Sequence, residues 1–239
     1  MERDYSYLIN VLNNWHFDIS DIQIKQLDIF YEMLIEKNKV MNLTAITEFD
    51  EVIIKHFVDS LSICTVMPSS ISNVCDLGTG AGFPGLPMAI AYPDLKFTLI
   101  DSLNKRIKFL QEVVDAIGLK NVELIHGRAE EVGRNKNIRE SFDLVVSRAV
   151  ANIATLSEYC LPLVSVGGYF ISFKSGDIAD EITLSGNAIS KLGGDLKNPV
   201  YFSLPDTDIN RSFIIIDKVK NTPKVYPRKA GTPSKEPLS

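Results

Sequence analysis

Cysteine is scarce in this chain: Cys64, Cys75 and Cys160 are the only three in 239 residues, an odd number with no C-x-x-C spacing. Neither a disulfide framework nor a zinc site is supported, and the three read as small buried hydrophobes. No metal is expected. A run of eighteen apolar residues is missing too, and "MERDYSYLIN" has no basic segment leading into an apolar one, so a cytoplasmic protein is the default. Nor is there an excess of positive charge, since 25 basic residues face 30 acidic ones for a formal −5. That balance does not advertise a nucleic-acid partner, although it says little about any one face. Internal repeats are absent, and only the closing "NTPKVYPRKAGTPSKEPLS", poor in apolar residues and rich in Pro and Lys, is compositionally biased.

What is present supports a substantial core, because apolar residues make up 45% of the chain. "SDIQIKQLDIFYEMLIEKNKV" opens with Ser20 and Gln23 at capping-box spacing and sets Ile24, Leu27, Tyr31, Leu34 and Ile35 on one helical face. "EFDEVIIKHFVDSLSI" keeps helical spacing at Ile53, Ile54, Phe57, Val58 and Leu61, and a shorter helix is predicted at 4–14. After "MPSSISN" short apolar runs alternate with helical stretches: "NVCDL", a helix from about Pro84, "KFTLID", then "NKRIKFLQEVVDAIGL" closed by Gly118. "NVELIH", "FDLVVS" and "GGYFISFK" continue the rhythm, with helices near 152–162 and 177–192, which implies five parallel strands. "DLKNPVYFSLP" and "NRSFIIIDKVK", joined by "DTDI", favour a hairpin and an antiparallel last strand at one edge. The chain thus divides into a helical extension (1–70), an α/β domain (71–220) and a basic tail (221–239).

The turn after the first strand, "CDLGTGAGFPGLP", packs four glycines and two prolines into thirteen positions. In open α/β sheets ligands lie at the carboxyl ends of the strands, and a glycine-rich first turn lets backbone touch a nucleotide at a helix N-terminus. Gly80, Gly82 and Gly85 satisfy G-x-G-x-x-G, while Gly78, Gly80 and Gly82 satisfy the G-x-G-x-G of methyltransferases that use S-adenosylmethionine. A tight turn without a ligand is the bland alternative. Other strand ends decide between cofactors. Asp101 closes the second strand, where an acid accepts from ribose hydroxyls in either class, or else caps a helix. "HGRAEE" ends the third, and Glu130 beside the small Ala129 suits the edge and face of an adenine, which tips the reading toward adenosylmethionine. "VVSRAVAN" brings Arg148 to the same rim and "FKSG" brings Lys174. Each alone is equally well explained as a surface or capping residue; their convergence on one edge points to a site.

With these residues in place, "MNLTAIT", "KHFVDSL", "CDLGTGAGFPGLPMAI", "TLIDSLNKRIKFL", "RAEE", "SRAVA" and "VKNTPKVYPRKAGTP" follow one another in a familiar order. From about residue 20 to the C-terminus the chain resembles the glucose-inhibited division protein B family, the ribosomal small-subunit RNA guanine-N7 methyltransferases also called methyltransferase G. The resemblance implies a class I S-adenosylmethionine-dependent methyltransferase fold, Rossmann-like, with a mostly parallel seven-stranded sheet, an antiparallel C-terminal strand and an N-terminal helical extension. It implies methylation of N7 of a guanine in the 530 loop of 16S rRNA; separately, the chain is expected to be a cytoplasmic monomer. Its partner is then 16S rRNA or the small ribosomal subunit, an assembly intermediate included. The implied cofactor positions are Gly78, Phe83, Asp101, Ala129, Glu130 and Arg148, to which the glycine turn adds Gly80 and Gly82. Asn42, His56, Arg128 and Lys174 match polar positions around the family's pocket.

The chemistry is compatible with that set. Guanine N7 carries an exposed lone pair at neutral pH, so its attack on a sulfonium methyl needs alignment rather than a general base. Positive charge moves onto the base, so Arg148 and Lys174 suit phosphate, guanine O6 or the cofactor carboxylate better than the nucleophile. Together with His56 they are candidates for positioning guanine or RNA, although a lone histidine on an apolar helix face also reads as a packed residue. Phe83 either stacks on a flipped base or packs on the methionine moiety. From Lys218 onward six basic residues face one acidic residue, leaving about −10 on the remainder. Lys224, Arg228 and Lys229 in that tail, with Lys105 and Arg106 at the start of a helix by the cofactor edge, are the candidates for RNA contact; a flexible, solvated end is the alternative. Two other functions stay open. An NAD(P)-dependent oxidoreductase expects a second dinucleotide half, for which the terminal hairpin leaves little room, and a nucleotide-binding module expects a cofactor without turnover.

Overall fold

In a computed structural model of the chain, which describes residues 3–148, 150–176 and 178–238, two helices come first, α1 (Ser6–Asn14) and α2 (Asp21–Met41). The Ser20 hydroxyl accepts the Gln23 amide at 3.4 Å and Gln23 Oε1 accepts the Ser20 amide at 2.8 Å, the reciprocal cap that their spacing predicts. α2 buries Leu27, Phe30, Tyr31 and Leu34 and stops at Asn42, whose φ of 50° turns the chain out of the helix. Asn38 anchors the chain beyond this stop, accepting the amides of Leu43 and Thr44 and donating to the Thr44 carbonyl.

Where the spacing predicts one amphipathic helix, residues 49–65 change pitch: α3 (Phe49–Val52), a π-helical turn (Ile53–Val58), α4 (Asp59–Leu61) and a 3-10 turn (Ser62–Thr65). Ile53, Phe57 and Val58 stay in the core through the wider turn, while His56 and Asp59 both meet Arg148. Single π turns of this kind recur at functional sites.

The expected alternation comes next: β1 (Asn73–Leu77), α5 (Gly85–Ala91), β2 (Lys96–Asp101), α6 (Asn104–Ile117), β3 (Val122–His126), α7 (Ala129–Val132), β4 (Phe142–Arg148), α8 (Ile153–Cys160), β5 (Val164–Ser175) and α9 (Ala179–Lys191). Of the helix predicted from 177, Asp177 lies outside the described residues. β1 to β5 are parallel in the order β3-β2-β1-β4-β5, with helices covering both apolar faces of the sheet. Their carboxyl ends, Leu77, Asp101, His126, Arg148 and Ser175, therefore share one edge.

The last strands correct the expected topology. β6 (Gly194–Leu196) and β7 (Val200–Ser203) lead into β8 (Asn210–Lys218), which runs antiparallel to β5 and lies inside the sheet rather than at its edge. β6 pairs with Ile216–Lys218 and β7 with Asn210–Phe213 on the far side of β8. Pro199, which has no amide hydrogen to donate, falls between them. Two short segments thus share one edge position, so eight strands occupy seven places. Short edge strands also protect a sheet from pairing with other chains.

One apolar cluster joins the sheet to α1, α2, α5 and α6 and fully encloses Leu8, Leu27, Phe30, Phe57, Phe97 and Phe109; a second fills the other face under α8 and α9. Phe30→Ala there would cost about 3–5 kcal/mol. The tail, flexible by composition, is packed. Lys218 is buried, its ammonium on the Leu161 carbonyl and Thr222 Oγ1 and 3.2 Å from Glu140; burial lowers its pKa to about 8. Arg139 donates to the carbonyls of Thr222 and Tyr226, Arg134 to that of Pro227, and α10 (Thr232–Lys235) lies against α8.

Candidate active site

The carboxyl edge of β1, β2 and β3 borders a cavity of about 770 Å³. Gly78, Thr79, Gly80, Ala81 and Phe83 of the glycine turn line it, with Asp101, Arg106, Arg128, Ala129 and Glu130 from the neighbouring strand ends; Leu43, Thr44, His56, Arg148 and Tyr159 complete the wall. Its volume is in the range of small-molecule and cofactor sites.

The glycines divide by what surrounds them. A Cβ added at Gly80 would meet nothing nearer than the Gly78 carbonyl at 3.9 Å, so bare backbone with φ of 62° faces the cavity there. A Cβ at Gly82 would lie 2.8 Å from Leu86 Cδ1, and one at Gly85 2.6 Å from Asp76 Oδ2. Among the described residues Gly82 is not in the cavity lining; its missing side chain makes room for α5 and α6. Below the turn, buried Asp76 accepts the Gly85 amide at 2.8 Å, and burial raises its pKa to about 6. Asp101, 3% exposed, accepts the amides of Gly80 at 2.9 Å and Leu103 at 2.8 Å and pairs with Arg106 at 3.3 Å. It therefore ties β2 to the glycine turn. Glu130 accepts the Gly231 amide at 2.8 Å.

A second cavity of about 470 Å³ adjoins the first, sharing His56 and Arg148 and adding Lys55, Asp59, Phe173, Lys174, Ser175, Glu181 and Arg211. Buried Asp59 sits between two guanidinium groups, Arg148 Nη1 at 2.9 Å and Arg211 Nε at 2.8 Å. Lys174 donates to Glu181 at 2.6 Å and to the Ala151 carbonyl at 2.8 Å. His56 lies between the cavities. The Lys55 carbonyl, 3.1 Å from His56 Nδ1, can only accept, which puts the ring hydrogen on Nδ1 and makes Nε2 the acceptor of the Thr44 hydroxyl at 2.9 Å; Thr44 Oγ1 also accepts the Ile46 amide at 3.0 Å. Burial, and then the Arg148 charge, lower the His56 pKa to about 3, so the ring is neutral.

Other candidates fall elsewhere. Asn42 is an exposed helix stop, and Lys105 is exposed outside both cavities, one residue before the lining Arg106. Lys224 and Lys229 are exposed on the tail, whereas Arg228 is paired with buried Glu158 at 2.7 Å. Thr44, Asp59, Tyr159, Glu181 and Arg211 escaped the strand-end reasoning. Thr44, inside "MNLTAIT", and Asp59, inside "KHFVDSL", could have been found from the motifs that carry the family resemblance.

The fold and its relatives point the same way. Solved structures sharing the architecture include a SAM-dependent methyltransferase from Aquifex aeolicus, with a TM-score of 0.50 at 15% identity over 71% of this chain and 93% of that one. Another is M. jannaschii TYW2 in complex with AdoMet, at 0.53 and 13% over 73% and 80%. At such identities they speak for the fold alone. Sequence relatives are far nearer. The ribosomal RNA small subunit methyltransferase G of Lachnoclostridium phytofermentans is 54% identical over 237 residues, 99% of this chain and 98% of that protein, and that of Bacillus subtilis is 46% identical over 221 residues, 92% of each. The family model described as GidB, rRNA small subunit methyltransferase G, matches residues 23–209, a span that holds the glycine turn and every lining residue of both cavities except Arg211. Kinship of that extent is decisive: the chain belongs to the GidB family of small-subunit rRNA methyltransferases.

Proposed function

We propose that this chain methylates N7 of a guanine in the 530 loop of 16S rRNA, using S-adenosylmethionine. The observation that carries the reading is the pair of adjoining cavities, joined through His56 and Arg148, in a member of an rRNA methyltransferase family. When bound, S-adenosylmethionine supplies a sulfonium methyl group. Bare backbone at Gly80 and the carboxylates of Asp101 and Glu130 fit a nucleoside whose ribose hydroxyls and adenine amino group are hydrogen-bond donors. Asp101 accepts from the ribose and Glu130 from the adenine, with Ala129 against its face.

The second cavity then takes the guanine. N7 has no proton to lose, so no base is needed, and His56, its pKa lowered to about 3 and both ring nitrogens engaged, is too weak a base to serve as one. Its role is shape, a rigid ring between donor and acceptor. The cations nearby already have counter-ions, Arg148 in Asp59 and Lys174 in Glu181. Charge arriving on the base meets ion pairs rather than bare cations, and the N–H groups remain available to O6 or phosphate. Lys105, Arg106, Lys224 and Lys229 contact RNA phosphates, giving affinity without sequence choice. The chain acts as a cytoplasmic monomer, on rRNA or on a subunit still being assembled.

Labelled donor incubated with the protein and 16S rRNA, naked or in small subunits, tests the reading. One methyl at N7 of a 530-loop guanine, mapped by primer extension and mass, is expected. Label at another base or atom, or calorimetry showing NAD binding and no response to the methyl donor, would overturn it.

A further inference from the structure

The tail reaches the first cavity from behind. Glu158 of α8 is completely buried, and a carboxylate there requires a partner. Arg228 provides it: its backbone amide donates to Oε1 at 2.7 Å, Nε to the two oxygens at 3.0 and 3.1 Å, and Nη2 to Oε2 at 2.7 Å. The same Nη2 reaches the Glu236 carbonyl at 2.7 Å, and the Thr155 hydroxyl donates to the Pro233 carbonyl at 3.0 Å, fastening the stretch as a strap over α8. Three residues past Arg228, the Gly231 amide donates to Glu130 Oε1 at 2.8 Å. Glu130, 8% exposed, lines the cavity together with Tyr159, the residue next to Glu158.

We propose that this strap, residues 221–238, braces the wall of the cofactor cavity from outside the lining, and that Arg228 is a positioning residue which, through Gly231, sets the Glu130 carboxylate for the adenine. The proposal rests on the S-adenosylmethionine reading above. A carboxylate offers about four acceptor sites; the Gly231 amide occupies one and the Tyr159 hydroxyl bears on the group as well, leaving the rest for a ligand. Without Arg228 the strap loses its charged anchor on Glu158, and the Gly231 amide its fixed place at Glu130. Arg228 in this basic stretch therefore governs donor affinity, and RNA affinity is left to its exposed lysines.

Calorimetry with S-adenosylhomocysteine on the full chain tests this through a double-mutant cycle of Arg228→Met and Glu130→Ala, with thermal melting to count folded protein. Arg228→Met is expected to weaken binding on the order of tenfold, Arg228→Lys to recover part of it, and Arg228→Met to add less than about twofold once Glu130→Ala is present. RNA affinity should stay within about twofold of the parent for Arg228→Met. If the unpaired Glu158 prevents folding, Glu158→Gln with Arg228→Met removes that buried charge and is read in the same way. Additive losses around the cycle, or unchanged affinity in folded Arg228→Met protein, overturn the strap proposal while the cofactor reading stands. Failure of the parent chain to bind S-adenosylhomocysteine overturns both.

Discussion

The imidazole of His56 lies on the ring of Phe83, centroids 4.4 Å apart and planes 19° from parallel, and the Arg148 guanidinium approaches the same ring at 5.2 Å. A π-helical turn, the glycine turn and the end of β4 thus meet at one aromatic side chain. Phe83→Leu keeps an apolar side chain in place and should cost only about 1–1.5 kcal/mol of stability. It removes the flat surface, however, and the single-turnover rate per folded molecule should fall at least about tenfold, given that small misplacements of reacting groups are costly. Melting together with single-turnover kinetics checks this; loss of stability alone would reduce Phe83 to core packing.

The two kinds of glycine should respond differently to a methyl group. Gly80→Ala puts a Cβ into open cavity at a left-handed residue, so the strain is about 1–2 kcal/mol but S-adenosylhomocysteine binding should drop by at least about tenfold. Gly85→Ala drives its Cβ into Asp76 and Leu99. Its loss should appear in melting temperature, with the affinity of the surviving folded molecules nearly intact. Calorimetry and melting of both variants would show whether the order reverses.

Asp59 is the hinge of the second cavity's charges. Asp59→Asn leaves the mostly buried Arg148 and Arg211 uncompensated and should cost about 3–5 kcal/mol. Arg148→Ala leaves Asp59 paired with Arg211, so it should destabilise less while lowering methyl transfer more per folded molecule. Equal destabilisation with an unchanged rate in Arg148→Ala would make that arginine a structural ion-pair partner only.

Two buried groups push the pH dependence of stability in opposite directions. Asp76, raised by burial from 3.8 to about 6, binds a proton in the folded chain that the unfolded chain has lost, so its contribution is full at low pH and declines as pH rises through this window. His56, lowered by burial from 6.5 to about 3, refuses a proton that the unfolded chain accepts, so its contribution is present above 6.5 and lost as pH falls toward 3. Asp76→Asn removes the first effect. Relative to the parent, the variant should gain stability as pH rises from 4 to 6 and then hold the gain, on the order of 2–3 kcal/mol. Urea melts at pH 4 and pH 8 measure it; a difference that does not grow with pH would count against a buried, late-titrating Asp76.

Local features were the most legible in the sequence. The cap at Ser20 and the stop at Gly118 depend on residues within a turn of each other, and both formed where spacing put them. The pitch change at Ile53–Val58 left no such trace, because the apolar spacing of an α-helix and of one containing a π turn is the same over so short a stretch. The terminal hairpin was legible, but the side of β8 that faces β5 is settled by pairing between distant segments. The tail reads as flexible by hydropathy because polar anchors, the carboxylates of Glu140 and Glu158, hold it. In the site, Asp101, Glu130, Arg148 and Lys174 could be found because a parallel sheet brings successive strand ends to one rim. Asp59 and Arg211 could not be found by that rule, coming from a helix and from a strand that runs the other way; Asp59 was reachable only through "KHFVDSL".

That reversed strand has a consequence for how the protein is made. Arg211 stands 152 residues after Asp59, at the start of β8, and Gly231 comes later still. Synthesis supplies the glycine turn, His56 and Arg148 well before the second arginine exists to pair with Asp59, and the amide that Glu130 accepts comes after both. Until residues 211 and 231 are made, Asp59 lacks its second guanidinium and Glu130 the Gly231 amide, so these two contacts are the late ones in the order of synthesis.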